Sequence, residues 1–169
     1  MNLKSEKNVA EILFAVSIFI RYGMSPKTVL FVPFAFILAE CAFADLETRA
    51  IPGRMLKAGL LYRLLTVPLA GNIAAELAGI VPGAAVMFII LFPASVLYEQ
   101  ARKRRSIGGG DIKLFVLAGA YLGVWSGLIS LFAACLLGLA FSLVSTDKGS
   151  AFPWGPAIAI GVVAAMTVV

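Results

Sequence analysis

Histidine is absent from this 169-residue chain. That absence removes Ser/His/Asp and Cys/His nucleophilic arrangements and histidine-ligated metal sites. Cysteine is nearly absent as well. The two thiols, Cys41 and Cys135, sit far apart in separate apolar segments, so neither a disulfide framework nor a CxxC metal knuckle is indicated, and both read as buried, inert side chains. Charge is scarce too: 14% of residues carry one, and only nine are acidic. Any acid-base chemistry therefore falls to a handful of carboxylates. No soluble domain, long linker or low-complexity tract interrupts the chain.

What the sequence has in excess is apolar surface. With 61% hydrophobic residues and a mean hydropathy of +0.98, it carries more than a soluble domain of this length can bury. The composition predicts an all-α, polytopic helix bundle whose solvent is the lipid bilayer. A crossing helix takes about 20 mostly apolar residues. Candidate crossings fall near 9–22, 28–46, 55–71, 74–98, 111–124, 125–146 and 152–168, which gives six or seven transmembrane helices. Residues 1–27 read as an N-terminal segment forming an extra or interfacial helix, and 28–169 as the main membrane domain. Glu11 interrupts the first apolar run and no small-residue cleavage site precedes Pro26, so that segment reads as retained and not as a signal peptide.

The net charge of +5 reports topology and does not point to nucleic acid, because Lys and Arg in short loops mark the cytoplasmic side. Arg49, Arg54 and Lys57 form one cluster, and Arg102, Lys103, Arg104 and Arg105 another; Lys148 lies between the last two helices. The turns at 70–75 and 123–125 carry none. The chain therefore reads as a multi-pass protein of the cytoplasmic (inner) membrane. Only Arg21 and Lys27, between the first two segments, disagree with the alternation. Gly119, Gly123 and Gly127, and likewise Gly155 and Ala159, recur at every fourth position and read as helix-packing contacts. Pro33, Pro68, Pro82 and Pro93 read as kinks or helix ends, and Arg63 either snorkels or pairs with Glu76.

Two aspartates stand out. A charged aspartate at the centre of a membrane helix costs about 2.5 to 3.5 kcal/mol on insertion scales, and less toward the ends. Asp45 closes the second apolar segment and Asp111 opens the fifth. Two crossings separate them, so both return to the same face, at helix margins that water reaches. Each also has a local reading, Asp111 as a helix N-cap and Asp45 as a boundary residue paired with Arg49 one turn later. Two carboxylates a few ångströms apart do not both ionise easily. They share a proton, polarise a water and protonate a leaving amide, which is aspartyl protease chemistry. It requires no metal and no cofactor. A second reading from another class makes them relay carboxylates of a small proton-coupled transporter or channel. Glu40 reads as protonated, bonded or functional, Glu47 as solvated, and Glu76 and Glu99 as helix-end residues. Lys113, two residues past Asp111, faces elsewhere on the helix and suits lipid phosphate or substrate. Gly108, Gly109 and Gly110 permit a turn to which a substrate strand can come close.

These residues resemble a known family. "GGGD", Gly108 to Asp111, matches the GxGD motif of the type IV prepilin peptidases, with "DIKL" similar to its continuation into a helix. "DLETRAIPG", Asp45 to Gly53, resembles a second signature, in which an aspartate precedes a basic residue and then Ile-Pro-Asn. "FPWGPAIAIG", at 152–161, is similar to the family's Pro-Phe-Gly-Pro entry to its last helix. The resemblance implies a membrane aspartyl endopeptidase. Its substrates are prepilins or pseudopilins carrying a basic leader, a glycine and a hydrophobic helix, cleaved at the cytoplasmic face. Asp45 and Asp111 map onto the catalytic pair. Gly108 and Gly110 would shape the active-site turn, and Arg49 and Pro52 would fix the loop beyond Asp45. Gly53 departs from the family's usual asparagine. The paired CxxC motifs of bifunctional members do not occur in these residues, so the chain is similar to the short members associated with Tad or Flp pili, for which methylation is not expected.

Overall fold

A computed structural model describes residues 3–102, 108–144 and 153–168. Six α-helices follow in order: α1 (Leu3–Tyr22), α2 (Pro26–Thr48), α3 (Gly53–Thr66), α4 (Ile73–Arg102), α5 (Gly109–Val144) and α6 (Gly155–Val168), with a single 3-10 turn (Val67–Ala70) closing α3. No strand occurs among the described residues.

The boundaries follow local chemistry. Pro26 occupies the first turn of α2 behind an extended Ser25, where its missing N–H costs nothing. Asn72 caps α4 by accepting the Ala75 N–H at 3.1 Å, which satisfies one orphan donor. Pro33, Pro82 and Pro93 lie inside helices, and Pro68 lies in the 3-10 turn at the end of α3.

α5 is not one crossing. Gly123 holds φ 74° and ψ −170° inside it, and the Cα of Gly119 lies 3.5 Å from where a Cβ on Gly127 would stand. Eight residues of straight helix would put roughly 12 Å between those positions. The chain therefore doubles back at Gly123, and α5 is a helical hairpin with arms 109–122 and 124–144. This matches the division expected near residue 124. Counted by arms, the described residues form seven α-helical segments.

Among the described residues, Pro26–Thr48 and Ile73–Ala101 are each long and apolar enough to cross a membrane, as is the stretch Gly109–Leu143, which the reversal at Gly123 divides between two arms; Gly155–Val168 is a shorter apolar helix. The outer surface agrees with that solvent, with Ile20, Leu69, Trp125 and Leu143 all about four-fifths exposed. Inside, Phe34, Leu38, Leu114, Ile158 and Met166 are fully enclosed, and Phe34 stacks on Tyr121 at 3.8 Å between ring centroids. Small residues bring backbones together. Gly119 and Gly123, of the predicted set, pack on Gly83 of α4, where a Cβ would strike the Gly119 carbonyl oxygen; Gly161 of α6, outside that set, packs on the second arm of α5, where a Cβ would stand 2.8 Å from the Ser130 carbonyl oxygen.

The connectivity puts the end of α2 and the starts of α3, α5 and α6 at one pole of the bundle, here the motif pole. The opposite pole carries Arg21, Lys27, Arg63 and Glu76. Arg63 pairs with Glu76, which settles its choice between snorkelling and pairing. The two cations that break the loop-charge alternation have structural partners there: Arg21 donates from Nε to the Thr167 carbonyl at 3.0 Å, and Lys27 lies over the Tyr22 ring. Arg21 thereby meets the negative end of α6. Glu40, one of the competing carboxylates, is ion-paired with Lys7 of α1 at 2.5 Å. The expectation of two buried thiols holds for Cys41 only; Cys135 is exposed on the outer face of α5. In a bilayer, outward and inward helix faces are equally apolar, so flanking composition does not separate them.

Candidate active site

Three short stretches, far apart in the chain, each set a glycine at the first residue of a helix: Gly53 for α3, Gly109 for α5 and Gly155 for α6. All three lie at the motif pole, around the last turn of α2, which carries Asp45.

Asp45 is 6% exposed. Its carbonyl accepts the Arg49 N–H at 2.9 Å, and Arg49 closes α2 in the left-handed conformation, φ 52°. The Arg49 side chain is exposed. Among the described residues, the ion pairs are those of Lys7 with Glu40 and of Arg63 with Glu76, so the expected alternative pairing of Asp45 with Arg49 is not formed. Pro52 caps α3, its carbonyl accepting the Met55 N–H at 3.0 Å. Arg49 and Pro52 thus hold the two ends of the turn between α2 and α3.

Asp111 is 9% exposed. Gly108 is the capping residue of α5, its carbonyl accepting the Ile112 N–H at 3.2 Å, which puts Asp111 at the third helical position and not at the cap. From there its Oδ2 accepts the Gly108 N–H at 3.2 Å. This is the reaching-back half of a capping box.

The three glycines are not equivalent. A Cβ on Gly108 would stand 2.9 Å from the Asp111 Oδ2, and one on Gly110 would stand 3.0 Å from the Ile51 Cβ, whereas Gly109 has open space around it. Gly110 therefore packs the GGGD turn directly on the loop that follows Asp45. The third stretch closes the group. The Gly155 N–H donates to the Asp45 Oδ2 at 2.7 Å in a buried setting, and Trp154 caps α6, its carbonyl accepting the Ile158 N–H.

The hydrogen bonds engage Oδ2 of each carboxylate. The second oxygen of each carries none among the described residues, so each is open to water or a substrate. Neither aspartate has a countercharge paired to it among those residues. Lys113 is exposed and lines a groove of about 840 Å³ between α3, α4 and the first arm of α5. Its lining is mostly apolar, with Leu60, Phe88, Phe92 and Val116, and includes Lys57, Ser95, Glu99 and Lys113 as well as Gly109. Sequence reasoning placed the third stretch at the entry to the last helix without connecting it to Asp45. The donor there is a backbone amide, which no residue type advertises; the available signal was the Gly-Pro pair that opens α6.

Residues 30–143 match the Type IV leader peptidase family. The chain belongs to that family. Among its relatives, the "Prepilin leader peptidase/N-methyltransferase" of Bacillus subtilis (strain 168) is 31% identical over 147 residues, covering 84% of this chain and 56% of that protein. The protein of the same name from Dichelobacter nodosus is 30% identical over 132 residues, 75% of this chain and 44% of its own length. That from Burkholderia pseudomallei (strain K96243) is 34% identical over 133 residues, 75% and 42% respectively. The chain spans about half the length of the curated relatives it matches. No solved structure matches it. The family match ends at residue 143, so the contact between Gly155 and Asp45 is visible only in the fold.

Proposed function

We propose that this leader peptidase family member is a membrane aspartyl endopeptidase that cleaves the short basic leader from type IV prepilins or pseudopilins at the cytoplasmic face, with Asp45 and Asp111 as the catalytic pair. The observation that carries the reading is the convergence of two buried, unpaired aspartates from α2 and α5 at one pole, each with one oxygen held by a backbone N–H.

In the proposed reaction one aspartate enters as the carboxylate and the other as the acid. One carboxylate takes a proton from a water as its oxygen bonds to the scissile carbonyl carbon, giving a tetrahedral intermediate. The C–N bond then breaks as the other aspartic acid gives its proton to the departing nitrogen, so the products are a new carboxyl end and a new amino end. The two roles belong to the pair and not to either residue. The groove beside Gly109 would receive the apolar helix of the substrate, which brings the bond at the end of that helix next to Asp111. Gly108 and Gly110 keep the turn flat enough for that approach.

The cytoplasmic orientation rests on Arg49, Arg54 and Lys57 at the motif pole and on the basic run after α4; Lys103, Arg104 and Arg105 of that run, with Lys148, lie outside the described residues. The short Tad or Flp type of pilus system is the proposed context. Co-expression with a candidate prepilin, with leader removal followed by mass, tests the reading. Processing by the parent chain and its loss in both Asp45→Asn and Asp111→Asn are expected; processing that survives in both variants refutes the mechanism.

A further inference from the structure

We infer that the backbone N–H of Gly155 is a positioning group for the reaction, fixing the Asp45 carboxylate for the attack on substrate. The inference rests on the reading of Asp45 as catalytic and assigns α6, which lies beyond the family match, a part in the site.

Three observations carry it. The Gly155 N–H meets the Asp45 Oδ2 at 2.7 Å, buried from solvent, across 110 positions of sequence. No side chain fits at residue 155: a Cβ there would stand 2.7 Å from the Asp45 Cβ, 3.0 Å from its Oδ2 and 3.2 Å from the Ala42 Cα. The approach is thus closer than packing of two helices needs, and it is made onto the functional side chain itself. Finally, Gly155 is the first residue of α6, whose N–H groups have no acceptor within their own helix. The amide is therefore free to hold a carboxylate without weakening α6, and the positive end of the helix dipole faces the same oxygen.

The consequence is geometric. With Oδ2 anchored, rotation of the Asp45 carboxyl about its terminal bond is restricted, and the other oxygen keeps one bearing toward the water it activates. The rotation about that bond is otherwise broad for an aspartate. Such anchoring acts on the rate of the chemical step and leaves recognition of the substrate helix untouched, because neither Asp45 nor Gly155 lines the groove.

The test replaces the amide and nothing else. Glycolic acid incorporated at position 155 by cell-free translation into lipid nanodiscs converts the amide to an ester, which removes the N–H and adds no Cβ. An ester at Val163, in the interior of the same helix, removes an intrahelical hydrogen bond remote from Asp45. Both are assayed on a prepilin that the parent chain cleaves, with thermal melting to quantify the folded fraction. For the residue 155 ester, kcat per folded enzyme falls about ten- to a hundred-fold, the loss set by one hydrogen bond to a charged group, while KM stays within two-fold. The residue 163 ester keeps parental kcat and KM. Parental kcat in the residue 155 ester, or an equal loss in the residue 163 ester, overturns the inference while the catalytic pair stands. Retention of cleavage by Asp45→Asn overturns the reading of Asp45 and the positioning role with it.

Discussion

The two poles of the bundle treat buried charge in opposite ways. At the pole away from the motifs, the Arg63 side chain is only 7% exposed and is fully provided for: its Nη2 pairs with Glu76, its Nε donates to the Ala120 carbonyl at 3.1 Å, and its guanidinium lies over the Tyr121 ring. A cavity of about 620 Å³ opens there, with that ion pair on its wall. At the motif pole, two aspartates are equally enclosed and have no cation paired to them among the described residues, only one backbone N–H each. Closed ion pairs maintain a shape, whereas carboxylates with one unclaimed oxygen keep their reactivity. The contrast separates a structural pole from a chemical one.

The sharpest way to break the contrast is to neutralise each pole in turn. Asp45→Asn or Asp111→Asn is expected to lower leader removal by about 100- to 10,000-fold, the range of a lost acid-base group, with the melting transition unchanged. Glu76→Leu should do the reverse. It leaves a buried guanidinium without its partner and costs about 3 kcal/mol, the low end for a broken buried pair, because the Glu76 side chain is itself 31% exposed. Melting in detergent measures this, and the double variant Arg63→Met/Glu76→Leu should recover most of the loss. If Glu76→Leu abolishes cleavage in enzyme that remains folded, the division between the poles is wrong.

Next come the turns. Gly123→Ala is expected to destabilise by about 1 to 3 kcal/mol, since φ 74° with ψ −170° is a region open essentially to glycine. The GGGD turn provides a finer comparison. Gly110→Ala forces Ile51 to move and should reduce cleavage, whereas Gly109→Ala meets no protein atom and adds only a methyl at the wall of the groove, so cleavage should fall less than in Gly110→Ala. Equal loss from both would show that the turn works through flexibility and not through contact. The smallest effect is expected at Gly53, around which there is also open space; Gly53→Asn, the residue usual in the resembled motif, should fold and cleave as the parent does.

Much of this layout is legible in the sequence, for physical reasons. Backbone hydrogen bonds have no partners in hydrocarbon, so apolar length alone marks the helices, and the number of crossings fixes which residues share a pole. That logic brings Asp45 and Asp111 to the same one. It also marks the reversal at 123–125, where charge is missing. Which face of a helix is enclosed is illegible because lipid is as apolar as a protein core. The pattern of hydrophobic residues does not reveal that Cys41 faces inward and Cys135 outward, or that Ile18 of α1 is completely enclosed. Arg21 and Lys27 misled the loop-charge argument because their role is local, one donating to the last turn of α6 and the other lying over an aromatic ring. The Gly155 contact escaped because it is made by a main-chain atom.

Gly123 has a consequence that reaches beyond its own turn. A chain that crosses a membrane is a counter of parity, and each reversal changes which side the next helix starts from. Were α5 to continue straight through Gly123, α6 would set out from the opposite pole, and Gly155 would be separated from Asp45 by the thickness of the bundle. One residue's pair of dihedral angles thus decides whether the third motif and the first can meet at all.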